Sequence, residues 1–277
     1  MFSLKSFAKL NLGLDVIKKR NDGFHDISSI MCKINLFDQI YFEESNNNEV
    51  LQKGIPKEKN IVYNVLQYMT KKYSPSKKTR IIIDKKIPYS SGMGGGSSNA
   101  ASAIQGINKI LELNLDSKEK FDIALRFGSD IPFFLSNTSA LISGRGEKIK
   151  FIKNPNILDL IIICPFYQIE NKTKKVFDNI DKLSNIGNQS DLLKKINDGV
   201  QVEGPFYNSL EAAAMKVFHN LENIKNMIEE ITHRKLSMSG AGPTLFFVQN
   251  PEDNSLEIMN EIKNLNLDLQ IFNVKII

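Results

Sequence analysis

The chain has no tryptophan, two cysteines and three histidines in 277 residues. Cys32 and Cys164 stand far apart, and no paired Cys/His spacing accompanies them, so neither a disulfide scaffold nor a structural zinc site is expected. Both should be buried apolar side chains, and no metal-ligand set is read from the sequence. Long hydrophobic runs are missing as well. The longest aliphatic stretch, Leu160 to Cys164, is far short of the roughly 20 residues that cross a bilayer. The first ten residues carry Lys5 and Lys9 and no apolar signal core, so a cytoplasmic protein with no membrane association is expected. Nor is charge of one sign concentrated: 36 Lys and Arg against 31 Asp and Glu leave a surplus of five, spread along the chain. That balance suits an anionic small-molecule substrate and gives no reason to expect nucleic acid.

What is present has regular order. At this length about two packed units are expected. From Phe2 to Val16 the even positions are mostly apolar and the odd ones mostly polar, the period of a half-buried strand, with Lys9 and Asn11 pointing away from the core. Asn21-Asp22-Gly23 reads as a turn. Ile30 to Phe42 is strand-like, with a reversal expected at Asp38. Helical spacing predicts helices over 60–73, from Ser97 or Ser98 onward, and from a cap at Asp116 to Gly128. Lys, Asn and Pro gather near 150–156, which sets expected domains at 1–150 and 151–277. Beyond lie a strand over 158–164, a polar tract, a long helix over 208–231, a strand–turn–strand around 239–243, a helix over 256–265 and a strand over 269–276. This interleaving predicts an α+β class, with a sandwich of the ferredoxin kind in the second half.

The most informative stretch is Pro88-Tyr89-Ser90-Ser91-Gly92-Met93-Gly94-Gly95-Gly96-Ser97-Ser98. Four glycines in five residues allow close backbone approach, and the helix behind them offers unpaired N–H groups and its positive dipole end. Together they suit a phosphate. The loop is no Walker motif, because no Lys-Ser/Thr follows, and no dinucleotide fingerprint, because Ser97 stands where the third glycine belongs. The plain alternative is a turn with serine caps. Asp130, in Gly128-Ser129-Asp130-Ile131-Pro132, reads on spacing alone as a helix N-cap first, with a functional carboxylate as the alternative. Lys9 reads as a solvated strand lysine and His25 as a turn histidine when each is taken alone.

Taken together these segments resemble one family. Phe7-Ala8-Lys9-Leu10-Asn11-Leu12, Asp22-Gly23-Phe24-His25, the loop from Pro88 to Ala101, Gly128 to Phe134, Gly144-Arg145-Gly146-Glu147 and Met238 to Thr244 are similar, in the same order, to the 4-diphosphocytidyl-2-C-methyl-D-erythritol kinases of the GHMP kinase superfamily. The resemblance implies a two-domain fold, with an N-terminal domain like the second domain of ribosomal protein S5 and a ferredoxin-like C-terminal one. It places the active site in the cleft between them. The implied enzyme is a kinase that uses ATP and Mg²⁺ on the 2-hydroxyl of a cytidine diphosphate-linked polyol in the non-mevalonate (MEP) isoprenoid pathway, as a monomer or weak homodimer. Lys9 and Asp130 fall on the family's catalytic pair, and Pro88 to Ser98 on its ATP loop. Lys85, Asn60 and Ile61 match positions near the adenine. Asn11, Phe24, His25, Thr173 and Phe177 match substrate contacts. Phe7 for proline, Phe24 for tyrosine, Met93 for leucine and Ser209 for aspartate are the departures. Another GHMP kinase, or a silent nucleotide-binding module, are the rival readings.

Overall fold

The computed structural model describes residues 1–181, 183 and 188–277. Its first strand, β1 (Phe2–Lys19), obeys the alternation on one side only. Ala8, Leu10, Leu12 and Val16 are fully buried on the even face. The odd face does not point away from a core, because Lys9, Asn11 and Asp15 are buried as well. A period of two distinguishes the two faces of a strand but does not say what covers the second one. Here the cover is polar, and the odd-face side chains bond into it. β1 turns at Asn21-Asp22-Gly23, where Gly23 takes φ +84°, and pairs with β2 (His25–Ser45).

Asp38 marks no reversal, since β2 runs straight through it. Its fully buried carboxylate accepts from the N–H groups of Lys86 and Ile87, at 2.7 and 2.8 Å, and from Lys85 Nζ at 2.8 Å. A turn-type residue sits mid-strand because its acceptors are filled.

The chain divides into two units that interleave along the sequence. The first comprises Met1–Ala8, Leu36–Ile87 and Gly94–Asn137. In it β3 (Glu49–Leu51) pairs parallel with β4 (Lys78–Asp84), and β4 pairs antiparallel with the end of β2, setting Ile40 opposite Ile83 and Phe42 opposite Ile81. Helices α1 (Ile61–Tyr73), α2 (Gly95–Ile110) and α3 (Ser117–Phe127) and a 3-10 turn over Pro132–Leu135 complete it. Asp116 and Glu119 form the expected capping box. Gly106 is required inside α2, because a Cβ there would lie 2.1 Å from the Phe42 ring. That close approach buries Phe42 completely, which stabilises by about 1.5–3 kcal/mol.

The second unit comprises Lys9–Asn35, Pro88–Met93 and Thr138–Ile277. The start of β2 pairs with β5 (Ala140–Gly144), and β5 with β6 (Lys148–Phe151). A second sheet holds β7 (Leu160–Pro165), β8 (Ser237–Met238), β9 (Leu245–Val248) and β10 (Leu269–Val274), all antiparallel, in the order β10-β7-β9-β8. Counted along the chain from β7 this order is fourth, first, third, second, the ferredoxin-like arrangement that was expected. Helices α4 (Lys172–Asp178), α5 (Asn188–Asn197), α6 (Glu211–Val217) and α7 (Leu221–Thr232) lie between β7 and β8 in sequence, and α8 (Ser255–Asn264) between β9 and β10. Residues 182 and 184–187 of the expected polar tract lie outside the described residues. The rest of that tract contains α4 and α5.

The single helix expected over 208–231 is instead two. Phe218 ends α6 by turning fully into the core against Tyr167, ring centroids 5.1 Å apart, and Asn220 takes a left-handed φ of 66° before α7. Asparagine accepts that conformation more easily than most residues, which is why the break falls there. Among the described residues no helix is long and apolar enough to cross a membrane. Cys32 and Cys164 are free and buried, and burial pushes the Cys32 thiol up to about 12.

Candidate active site

In the second unit β1 carries Lys9 into a buried polar chain. Lys9 Nζ donates to Asn11 Oδ1, Asn11 Nδ2 donates to Ser29 Oγ at 2.7 Å, and the Ser29 hydroxyl donates to the Gly13 carbonyl at 2.7 Å. The turn between β8 and β9 closes over this chain. Ser239 Oγ accepts the Asn11 N–H at 3.0 Å, and a Cβ on Gly240 would stand 3.3 Å from Lys9 Nζ. The expected lysine is therefore a held ammonium at 5 % exposure, not a solvated one. Asn11, matched to a substrate contact, orients Lys9 directly. Ser29 and Ser239 share in this and were not singled out from the sequence, since no local pattern ties them to Lys9.

Ser209 takes a structural place too. Its hydroxyl donates to the Leu14 carbonyl and accepts the Val16 N–H, at 3.1 and 3.0 Å. Beside it Asn208 Nδ2 donates to the carbonyls of Met238 and Gly240. The pair fastens β1 and the Ser239–Pro243 turn to the start of α6.

The glycine loop passes from the second unit to the first at Met93-Gly94. Its earlier part belongs to the second unit. Pro88 leads in, Tyr89 is exposed, Ser90 takes φ 54° and Gly92 φ 86°, and the Ser91 carbonyl accepts from Thr244 Oγ1 at 2.6 Å. Met93 is buried, and its carbonyl accepts the Lys9 N–H at 2.9 Å. Gly92 leaves no room for a side chain, because a Cβ would meet the Gly242 carbonyl at 2.7 Å.

The later part belongs to the first unit. Gly94, at φ 70°, is the N-cap of α2, and Ser98 N–H already bonds the Gly94 carbonyl. The N–H groups of Gly95, Gly96 and Ser97 belong to the first helical turn, where no intrahelical acceptor exists. A Cβ on Gly96 would meet nothing within 4 Å, so there is open space beside Gly96 at the start of the helix. Donor type, helix polarity and space all fit a nucleotide phosphate. Ser98 is anchored, its hydroxyl 2.8 Å from that of Ser6, which also donates to Asn99 Oδ1 at 2.7 Å.

Also in the first unit, Asp130 follows α3 in the turn before the 3-10 segment. The N-cap of that segment is Ile131 and no side chain caps it, so Asp130 has no capping role. The residue is half-buried, and among the described residues its carboxylate receives no hydrogen bond. Lys85, held by Asp38 and by the Ile87 carbonyl at 2.6 Å, lies beside the start of α2, where a Cβ on Gly95 would come within 2.8 Å of its Nζ. Burial lowers the Lys85 pKa and Asp38 opposes that shift. Asn60 caps α1 by accepting the Val62 N–H at 2.9 Å, and Ile61 opens the helix.

Among the residues matched to substrate contacts, the second unit brings two together. The rings of His25 and Phe177 lie 5.1 Å apart at 31°. Burial and then Lys19 lower the His25 pKa, with Asp178 opposing, which favours the neutral imidazole. Phe24 is exposed, with the Arg145 guanidinium 4.9 Å from its ring centroid. Thr173 is exposed on α4. A cavity of about 860 Å³ lined by Tyr207, Glu211, Lys225 and Glu229 holds none of these residues and no glycine turn. Among the described residues no three His, Cys, Asp or Glu gather as they would to hold a metal ion.

Residues 60–138 match the family model described as the GHMP kinases N terminal domain. A 4-diphosphocytidyl-2-C-methyl-D-erythritol kinase of Clostridioides difficile is 37% identical over 261 residues, covering 90% of this chain and 88% of the relative. Another, from Caldanaerobacter subterraneus, is 34% identical over 275 residues, covering 95% and 93%. A crystal structure of 4-(cytidine 5'-diphospho)-2C-methyl-D-erythritol kinase superposes with a TM-score of 0.84 at 24% identity, over 99% of both chains. Homoserine kinase from Cytophaga hutchinsonii follows at 0.70 and 17%, covering 99% of this chain and 95% of its own. The fold is thus the two-domain α+β fold of these kinases, and at this identity over this much of its length the chain belongs to the 4-diphosphocytidyl-2-C-methyl-D-erythritol kinase family.

Proposed function

We propose that this kinase transfers the γ-phosphoryl of ATP to the 2-hydroxyl of 4-diphosphocytidyl-2-C-methyl-D-erythritol, a step of the non-mevalonate route to isoprenoids. The observation that carries the reading is Asp130, a half-buried carboxylate with no cap to form and no hydrogen bond among the described residues. Such a group is available to accept the hydroxyl proton, and Lys9, held by Asn11, offsets charge at the transferring phosphoryl. The first-turn N–H groups of α2 bind the nucleotide's phosphates, with Lys85, Asn60 and Ile61 toward the base. Mg²⁺ would neutralise charge on these phosphates, and Ser97 or Ser98 would hold it.

His25 and Phe177 support a cytosine-reading role. A neutral imidazole offers one donor and one acceptor to the base edge, and the two rings and Phe24 offer faces for stacking. Asn11 and Thr173 complete the set matched to substrate. The domain division at 1–150 and 151–277, cytoplasmic location and a monomer or weak homodimer belong to the same reading. An ADP-release assay comparing the cytidine-linked substrate with mevalonate, homoserine and galactose tests it. Turnover is expected with the first alone. Preference for any of the others overturns the reading in favour of a different GHMP kinase, and no turnover with any of them favours a silent nucleotide-binding module.

A further inference from the structure

Lys172 opens α4, and its Nζ reaches back 2.5 Å to the Gly242 carbonyl in the turn between β8 and β9. The same turn presses on Lys9 through Gly240. Two ammonium groups therefore converge on one glycine turn of the second unit. They are close enough that Lys9, after burial, is a cause of the lowered Lys172 pKa of about 8. Among the described residues no carboxylate lies within ion-pairing distance of Lys172; its other near neighbours are the Cys164 thiol and the Phe218 ring, at 6.0 Å. Two like charges brought together in a half-buried place repel each other, and an anion seated there repays that cost. Neither strand alternation nor helix periodicity singles Lys172 out, because it stands in a run with Lys174 and Lys175 that reads as a solvated face.

We propose that Lys172 is a second phosphate-binding cation of this site, forming with Lys9 a two-ammonium clamp on one phosphate group of the reactants. The proposal rests on the kinase reading above and adds a residue to it. A phosphate group carries enough oxygens for both ammoniums, and the Gly242 carbonyl, which accepts one N–H of the Lys172 ammonium, fixes its position and leaves its other donors for the phosphate. Two sources offer this chemistry: the diphosphate of the cytidine-linked substrate, and the phosphoryl in transfer.

The test compares wild type, Lys172→Met and Lys172→Arg in steady-state kinetics, with calorimetric binding of CDP, cytidine and inorganic pyrophosphate. If the clamp holds the substrate's diphosphate, Lys172→Met raises KM for the substrate and Kd for CDP by roughly tenfold, leaves cytidine binding unchanged and keeps kcat. If it holds the phosphoryl in transfer, kcat falls by roughly tenfold or more while CDP binding stays constant. Either result supports the clamp, provided Lys172→Arg restores at least half of the lost effect. The clamp is overturned if Lys172→Met, folded by near-UV circular dichroism, keeps KM, kcat and CDP binding within twofold of wild type. It is overturned equally if Lys172→Arg is as impaired as Lys172→Met, which would make Lys172 a packing residue. Should wild type fail to turn over the cytidine-linked substrate, the kinase reading fails separately. Pyrophosphate then decides the clamp, since weaker binding by Lys172→Met supports it and equal binding overturns it.

Discussion

A carboxylate serves as a base only when its lone pairs are not already engaged, and Asp130 meets that condition where Asp38 does not. Asp130→Asn keeps the shape and removes the acceptor for the proton. The expected result is a fall in kcat of about 10²- to 10⁴-fold with ATP affinity nearly unchanged. Retention of more than half the wild-type kcat would return Asp130 to a structural role. For His25, a base edge left without its partner costs about 1–3 kcal/mol, so His25→Ala should raise KM for the cytidine-linked substrate roughly tenfold and leave KM for ATP alone. The sign of the pH effect follows from the lowered pKa. The neutral imidazole is kept to lower pH than in an ordinary histidine, and the acidification that charges it weakens substrate binding. A KM that already climbs between pH 8 and 7 in step with His25, and no longer does so in His25→Ala, would contradict this. At this scale the sequence signals were uneven. Resemblance pointed to Lys9, Asp130 and His25, whereas Ser29, Ser239 and Lys172 matter through contacts across the fold that no local spacing encodes.

Among the elements, α2 places the phosphate-binding donors, and its first glycines have different duties. Gly95 is hemmed by Lys85 and Ile87, while Gly96 faces open space. Gly96→Val should therefore fold with a melting temperature near wild type yet raise Kd for ATP by roughly tenfold or more, because the side chain occupies the room a phosphate needs. Unchanged ATP affinity in the folded variant would move the nucleotide elsewhere. Elements with strong local codes were legible: the α1 helix, the α3 cap, the Gly23 turn and the buried β7 run all follow from residue type and period, although Asn60 caps α1 instead of lying inside it. Those set by tertiary packing were not. Short β3, β5 and β6 carry no long alternation, and the break between α6 and α7 depends on where Phe218 finds its pocket.

For the whole molecule, the ferredoxin-like strand order was foreseeable from interleaved strands and helices, whereas the interleaving of the two units was not. β1 and β2 each run through both units, and a period of two reads the same on either side of the crossing. The proposed reaction delivers a phosphoryl group to one particular hydroxyl, which makes the position of the new phosphate the most direct test of the account. The measurement is phosphorus and carbon NMR of the product formed from ATP and the cytidine-linked substrate. The account predicts one new phosphomonoester signal for each ADP released, coupled to the carbon that bears the methyl group, with the diphosphate signals intact. ADP accompanied only by inorganic phosphate, or a monoester on any other carbon, would contradict it.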